Sequence, residues 1–336
     1  AKMEHLHLEN NMIGDMAPLK KMTKMLFLSI NSNEILKIEG LSGMTKLEWL
    51  GLGSNGISKI EGLDKLVNLE NLDLGWNQIT RIEGLDKLVN LEELDLVWNQ
   101  ITGIEGLDKL VNLEYLGLAR NQITKIEGLD KLGCLYSLYL TGNRITRIEG
   151  LDKLAKLRYL SLDWNQISKI EGLDKLANLE ELNLGRNQIT KIEGLSGLKY
   201  LHCLFLKENK ITDISTLESL DALERVDLRF NELDLSPGSE ARLVIHFLQV
   251  DKKANVIYLP YGDLDGKDKI NVRDAIVVLR GIVGLIDLNA EQEVLGDVNL
   301  QDGVNVQDAI LILRYIVGLI DDFPVAEMLL YPPGPI

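Results

Sequence analysis

The sequence predicts an α/β chain in two parts: a long solenoid built on short strands, then a small domain of helices fed by carboxylate-rich loops. Three observations carry this. An asparagine returns at one constant interval, from Asn11 through Asn33, Asn55, Asn77, Asn99, Asn121, Asn143, Asn165, Asn187 and Asn209 to Asn231, which makes eleven copies of one unit. Apolar columns keep the same period around it. Beyond residue 260 that period is gone, and two segments, starting at Asp263 and Asp297, match each other instead.

A fixed period this short marks units that cannot bury their own apolar face and must stack on their neighbours. In the central copy, LVNLEELDLVWNQITGIEGLDK from Leu88 to Lys109, the apolar columns are Leu91, Leu94, Leu96, Ile101, Ile104 and Leu107, continued at Leu110. They are expected to point inward and form one continuous core. The asparagine column has a different cause. Where the chain turns out of a short strand, an inward amide can satisfy backbone groups that would otherwise be buried unpaired. Gly40, Gly62, Gly84, Gly106, Gly128, Gly150, Gly172 and Gly194 form a further column, where a tight turn calls for a positive φ.

The pattern LxxLxLxxNxIxxIxGLxxL over residues 3 to about 235 resembles leucine-rich repeats, specifically the 22-residue subclass found in a phosphatase-1 regulatory subunit and in bacterial surface proteins. The resemblance implies parallel strands on a concave face and 3₁₀ or irregular segments on the convex face. At about 4.8 Å per parallel strand, the copies would form a curved sheet on the order of 50 Å long.

Composition narrows the function classes. A net charge of −15 argues against nucleic acid or an anionic membrane as the main partner. No apolar run is long enough to span a bilayer. The chain begins at Ala1, read as a processed or trimmed start. Cys134 and Cys203 sit three repeats apart at different offsets, too far for a disulfide, and are read as isolated thiols. No Ser, His or Cys grouping suggests a nucleophile with its base, and His5, His7, His202 and His246 share no ligand spacing with cysteine.

Taken in order, the first copy is degenerate: Pro18 stands for glycine, and Met3, Met16 and Met22 stand for Leu or Ile. A bare first strand would offer unpaired backbone groups, so either a cap precedes it or this edge self-associates. Along the convex side, Glu39, Glu61, Glu83, Glu105, Glu127, Glu149, Glu171 and Glu193 run beside Lys37, Lys59, Arg81, Lys125, Arg147, Lys169 and Lys191, a self-neutralising solvated ladder. The concave columns flanking the inward strand leucines are assigned all four tryptophans, Trp49, Trp76, Trp98 and Trp164, with Phe27, Tyr115, Tyr139, Tyr159, Phe205 and Phe230. Asp73, Glu93, Asp95, Asp163 and Glu181 surround them, with Arg120, Arg186, Arg225 and Arg229 towards the C-terminal half. Aromatic anchors ringed by charge suit a protein hot spot or sugar stacking. Trp49, Trp76, Trp98, Trp164, Tyr115, Tyr139, Tyr159, Asp73, Asp95, Arg120 and Arg186 are the candidate ligand-binding set.

Pro237-Gly238 ends the solenoid, and Ser239 to Val250 reads as an amphipathic helix with Ala241, Val244, Phe247 and Leu248 on one side, capping the last copy. From Tyr261 the composition turns acidic, and DLDGKDKINVRDAIVVLRGIVGLID is followed by DVNLQDGVNVQDAILILRYIVGLID. Hard Ca²⁺ needs several oxygen ligands on one short loop, spaced as in an EF-hand. The first loop offers Asp263, Asp265, the Lys269 carbonyl, Asn271 and Asp274. The second offers Asp297, Asn299, Gln301, the Gly303 carbonyl, Asn305 and Asp308.

This duplicated loop-helix resembles a type I dockerin, a small all-α domain with paired EF-hand-like calcium loops, whose loops close on Asp where an EF-hand has Glu. One departure is that the usual mid-loop acid is Lys267 in one copy and Gln301 in the other, with the acid moved to Asp268 and Asp302; weaker Ca²⁺ binding is expected at both sites. The resemblance implies docking to a cohesin module through Val272, Arg273, Val306 and Gln307, with Arg280 and Arg314 further along. The expected layout is a solenoid over 1–235, its cap over 236–260, a dockerin over 261–322 and a proline-rich tail over 323–336. The functional expectation is a non-catalytic adaptor, extracellular or on the cell surface, that carries a protein or glycan on its concave face and docks to a cohesin-bearing protein. A structural, self-assembling surface protein and an intracellular scaffold like the phosphatase-binding relatives are the alternatives.

Overall fold

The computed structural model describes residues 3–236, 238–258, 263–264, 270–288 and 303–317, and the single positions 292, 296 and 298. They belong to two compact units, residues 1–227 with 231–256, and residues 228–230 with 257–336.

The first unit is a parallel-sheet solenoid. Its strands are three residues each: β1 (His5–His7), β2 (Phe27–Ser29), β3 (Trp49–Gly51), β4 (Asn71–Asp73), β5 (Glu93–Asp95), β6 (Tyr115–Gly117), β7 (Ser137–Tyr139), β8 (Tyr159–Ser161), β9 (Glu181–Asn183), β10 (Cys203–Phe205) and β11 (Arg225–Asp227). The sheet follows sequence order, and each parallel pairing sets a residue beside its equivalent in the next copy, from His5 opposite Phe27 to Phe205 opposite Asp227. A twelfth strand, β12 (Asn255–Ile257), closes the sheet after β11. The eleven-copy expectation missed it, because the segment Asn-Val-Ile follows a helix and carries no trace of the repeat.

The core lies where the columns put it. Leu91, Leu94, Leu96, Ile101, Ile104, Leu107 and Leu110 are all completely buried, and their equivalents from Leu28 to Leu228 are buried too, whereas those of the first copy, such as Leu6, Leu8 and Ile13, are partly exposed. Burying one such side chain contributes roughly 1.5 to 3 kcal/mol, so the core is the main source of stability. The asparagine column does what buried polar atoms require. Asn99 Nδ2 donates to the carbonyls of Leu74 at 3.0 Å and Leu96 at 3.1 Å, and Asn99 Oδ1 accepts from the Ile79 N–H at 2.9 Å. One amide thus ties its own strand end to the preceding turn. The neighbours Asn77 and Asn121 repeat this arrangement.

The glycine column has positive φ throughout, +71° at Gly84, where an added Cβ would lie 2.5 Å from the Ile60 carbonyl oxygen. Gly84→Ala is therefore expected to cost about 2 to 4 kcal/mol in urea unfolding, from left-handed strain and the displaced carbonyl together. Gly133→Ala, with nothing within 4 Å of its added Cβ, should change stability little.

The first copy departs locally. Pro18 opens a short 3₁₀ helix over Ala17–Lys21, and a second 3₁₀ helix spans Ser215–Ser219. Helix α1 (Glu240–Val250) is capped by the Ser239 hydroxyl and buries Ala241, Val244, Ile245 and Leu248. Ile245, not Phe247 as expected, joins the buried face; Phe247 instead lies 5.7 Å under Lys252 Nζ. That ammonium reaches the Glu218 and Leu220 carbonyls at 2.6 and 3.0 Å, fastening the helix end to the last 3₁₀ turn. Cys134 and Cys203 are free thiols. The charged Glu and Lys/Arg columns are exposed, with Lys37 and Glu61 paired at 3.7 Å.

Among the described residues of the second unit, helices α2 (Val272–Ile282) and α3 (Val306–Ile316) pack around Leu264, Ala275, Val278, Val298, Ala309 and Ile312.

Candidate binding face

From β2 to β11 the middle residue of each strand is buried and the two beside it point away from the core, onto the open face of the sheet. Phe27, Trp49, Glu93, Tyr115, Tyr159, Glu181 and Arg225 occupy the first outward position, and Asp73, Asp95, Tyr139 and Phe205 the second. Trp76, Trp98 and Trp164 are elsewhere. They were assigned to the strands, but they sit three residues past the strand end, at a left-handed backbone position with φ between +54° and +56°. Arg120, Arg186 and Phe230 share that position. The reason is the asparagine next to each of them. For its amide to reach the strand-end carbonyls, the chain must reverse one residue earlier, and the residue at the reversal is thrown outward. The expected single stripe of aromatics is therefore two structures, one on the strands and one along the turns.

The turn row forms a ladder. The Trp76 and Trp98 rings stack at 4.4 Å and 17°. The Arg120 guanidinium lies 5.3 Å from the Trp98 ring and 4.1 Å from Trp164, and Arg186 covers Trp164 at 4.9 Å. Arg186 Nε then donates to both Glu208 oxygens at 3.1 and 3.0 Å, and Lys207 joins Glu208 at 3.2 Å. Strand spacing near ~4.8 Å suits such stacking, because it nearly matches ring-to-ring contact. Gly142 occupies the one turn between Arg120 and Trp164; a Cβ there would come within 2.8 Å of Arg120 Cδ, so the missing side chain lets the arginine cross to the next tryptophan.

On the strands, Phe27 and Trp49 stack at 4.3 Å, with His7 4.8 Å from Phe27. Tyr115 and Tyr139 meet at 5.5 Å. Between these groups lie Asp73 and Asp95, opposite each other on β4 and β5. Asp73 accepts from the Gly75 N–H at 2.9 Å and the Asn31 amide at 3.2 Å, and Asp95 from the Val97 N–H at 2.8 Å. Burial pushes the Asp73 carboxyl up; burial and the neighbouring Asp73 charge push Asp95 up to about 6. The same burial, with the Asp95 charge, raises the Tyr115 phenol. Asp163 is 3% exposed, takes hydrogen bonds from Thr141 at 2.5 Å and Ser161 at 2.9 Å, and is pushed up by its burial.

The sequence pattern described as Leucine Rich repeats (2 copies) matches residues 45–87, 89–131, 135–175, 157–197 and 177–218. The chain belongs to the leucine-rich repeat family. Among solved structures, this leucine-rich repeat chain is similar to an internalin from Listeria monocytogenes, at 30% identity and TM-score 0.57 over 69% of this chain and 76% of that one. A leucine-rich repeat protein of Leptospira interrogans is similar at 25% identity and TM-score 0.65, over 76% and 72%. A second Listeria internalin, internalin C2, is similar at 34% identity and TM-score 0.52, over 58% and 83%. No curated protein sequence matches the chain.

Beyond the leucine-rich repeats, the expected cohesin contacts Val272, Arg273, Arg280, Val306, Gln307 and Arg314 are all exposed on α2 and α3. Val272 and Val306 head two apolar ridges whose other members the sequence reading passed over: Ile276, Leu279 and Val283 after one, and Ile310, Leu313 and Val317 at the matching positions after the other. Asp265, Asp268, Lys269, Asp297, Asn299, Gln301 and Asp302 of the expected metal loops lie outside the described residues, as do 323–336. Of the rest, Asp263, Asp274 and Asp308 are buried carboxylates. Asp274 accepts from the Leu264 and Asn271 N–H groups at 2.9 and 2.7 Å, Asp308 from the Asn305 N–H at 2.9 Å, and the Gly303 carbonyl from the Asn305 amide at 2.9 Å. These oxygen donors suit a hard cation, and each closing aspartate also caps its helix. Among the described residues, no three His, Cys, Asp or Glu form a metal cluster, and no helix is long and apolar enough to cross a membrane.

Sequence reasoning also passed over Tyr136 and Arg158. Arg158 covers Tyr136 at 5.3 Å and pairs with Glu180 at 2.8 Å, while Tyr136 meets Tyr159 at 5.3 Å. The signal was there to find: their column reads Glu48, Glu70, Glu92 and Glu114 before it changes to Tyr136 and Arg158.

Proposed function

We propose that this protein is a non-catalytic extracellular or cell-surface adaptor whose open sheet face and turn ladder bind a protein, and whose second unit docks it to a cohesin module in a Ca²⁺-dependent way. The observation that carries the binding reading is how the ladder is covered. Trp98 lies between Trp76 and Arg120, and Trp164 between Arg120 and Arg186, so their faces are taken while the residues stay 39% and 40% exposed. A sugar stacks on a ring face; a protein hot spot accepts a firm aromatic and arginine edge equally well. The covered faces favour a protein over the glycan alternative. This chain with Trp76→Ala and Trp98→Ala should lose most of its captured partner in pull-down from a culture medium; equal capture by the variant would end this reading.

For the second unit, the resemblance to a dockerin is supported by the paired ridges, with Val272 and Val306 each 53% exposed and Val283 and Val317 each 66%. Asp263, Asn271 and Asp274 in one loop, with the Gly303 carbonyl, Asn305 and Asp308 in the other, would hold Ca²⁺, which supplies charge to pin each loop to its helix. Two outcomes are expected. Titration of Ca²⁺ into chelator-stripped full chain should give binding heat by calorimetry together with a gain of helical dichroism, and absence of both would dismiss the metal. Val272→Asp with Val306→Asp should abolish cohesin capture while leaving Ca²⁺ binding intact.

A further inference from the structure

We infer that Arg120 is the receptor for a carboxylate side chain, Asp or Glu, of the bound protein. This rests on the protein-binding reading above and specifies its chemistry at one point. Arg120 is fixed without a counter-ion. Its guanidinium is covered by Trp164 on one side, at 4.1 Å, and by Trp98 on the other, at 5.3 Å. Among the described residues it makes no ion pair or hydrogen bond, and its Nε is buried with no acceptor. In a chain with 51 acidic against 36 basic residues, a held arginine that meets no carboxylate is the unusual case.

The next cation along the ladder shows the contrast. Arg186 has both Glu208 oxygens, and Lys207 shares them. Arg120, Trp164, Arg186 and Glu208 line one groove of about 410 Å³, with Gln166 beside them. Indole faces attract the cation but accept no N–H, so the donors of the guanidinium edge remain to be met. With both faces covered, the edge is the only approach, and the ligand that matches two parallel N–H groups in one plane is a carboxylate. The exposed Gln166 adds an amide for the backbone that carries it.

The test is selection of random twelve-residue peptides displayed on phage against the immobilised full chain, keeping those lost on the Trp76→Ala, Trp98→Ala variant. Kept peptides should carry Asp or Glu at one fixed place. Arg120→Gln should weaken them at least about tenfold, Glu→Gln in the peptide should cost the same, and the two changes together should cost little more. Arg120→Lys should also fail, because a point charge does not replace a stacked fork. Kept peptides that lack an acid, or that bind Arg120→Gln unchanged, overturn this inference alone. If no peptide is lost on the double tryptophan variant, the binding face and this inference fall together.

Discussion

Asn99→Ala is expected to destabilise the solenoid by about 2 kcal/mol or more, whereas the same change at Asn11 should cost well under half as much. At Asn99, only 8% exposed, the alanine leaves the Ile79 N–H without its acceptor at 2.9 Å and takes one of two amide donors from each of the Leu74 and Leu96 carbonyls, which keep Asn77 and Asn121. The orphaned N–H carries its desolvation cost, and the two carbonyls lose one hydrogen bond each. Asn11 makes the local bonds to the Leu8 and Glu9 carbonyls at 3.1 and 3.0 Å, but it is exposed, and water can replace it. Urea unfolding of the two variants gives the comparison directly. Equal losses would mean that the ladder acts through turn propensity rather than through buried hydrogen bonds.

Asp95→Asn is expected to stabilise the protein near neutral pH and to remove part of its pH dependence. The Asp95 carboxyl titrates near 6 in the folded chain against an ordinary value of 3.8, because burial and the Asp73 charge oppose ionisation. Below the lower value both folded and unfolded chains hold the proton, and nothing is lost. Between the two values the folded chain binds more protons than the unfolded one, so stability falls as pH rises through about 6, and the full penalty remains above it. Solvent screening at this half-buried site reduces the difference to on the order of 1 to 2 kcal/mol. Unfolding followed from pH 4 to pH 7 should show wild type and variant diverging across that interval, with the asparagine form the more stable at the upper end. Parallel curves would mean that Asp95 is as well solvated folded as unfolded.

How far the sequence could be read follows from what a period records. A column repeated at one interval reports an environment that every turn shares, so the core leucines, the buried amides and the positive φ of Gly84 and its equivalents were all legible. What varies from turn to turn was not. Trp76, Trp98 and Trp164 occupy a left-handed position usually announced by Gly or Asn, so nothing in their identity told strand from turn. The reach of Arg120 to Trp164 depends on the absence of a side chain at Gly142, a relation between three turns rather than within one. Ile245 replaced Phe247 on the buried side of α1 because a helical pattern leaves the rotation of the helix free until its neighbours fix it. The ridges on α2 and α3 were visible as apolar positions, but only the packed pair shows which of them stay outside.

The rungs from Trp76 to Glu208 clamp one another, and this has a kinetic meaning. Their rotamers are already frozen before any encounter, so association forfeits little further side-chain freedom there. A partner of the wrong contour meets a surface that does not rearrange to suit it. Discrimination should then appear mainly as fast departure of mismatched partners, with arrival rates nearly alike.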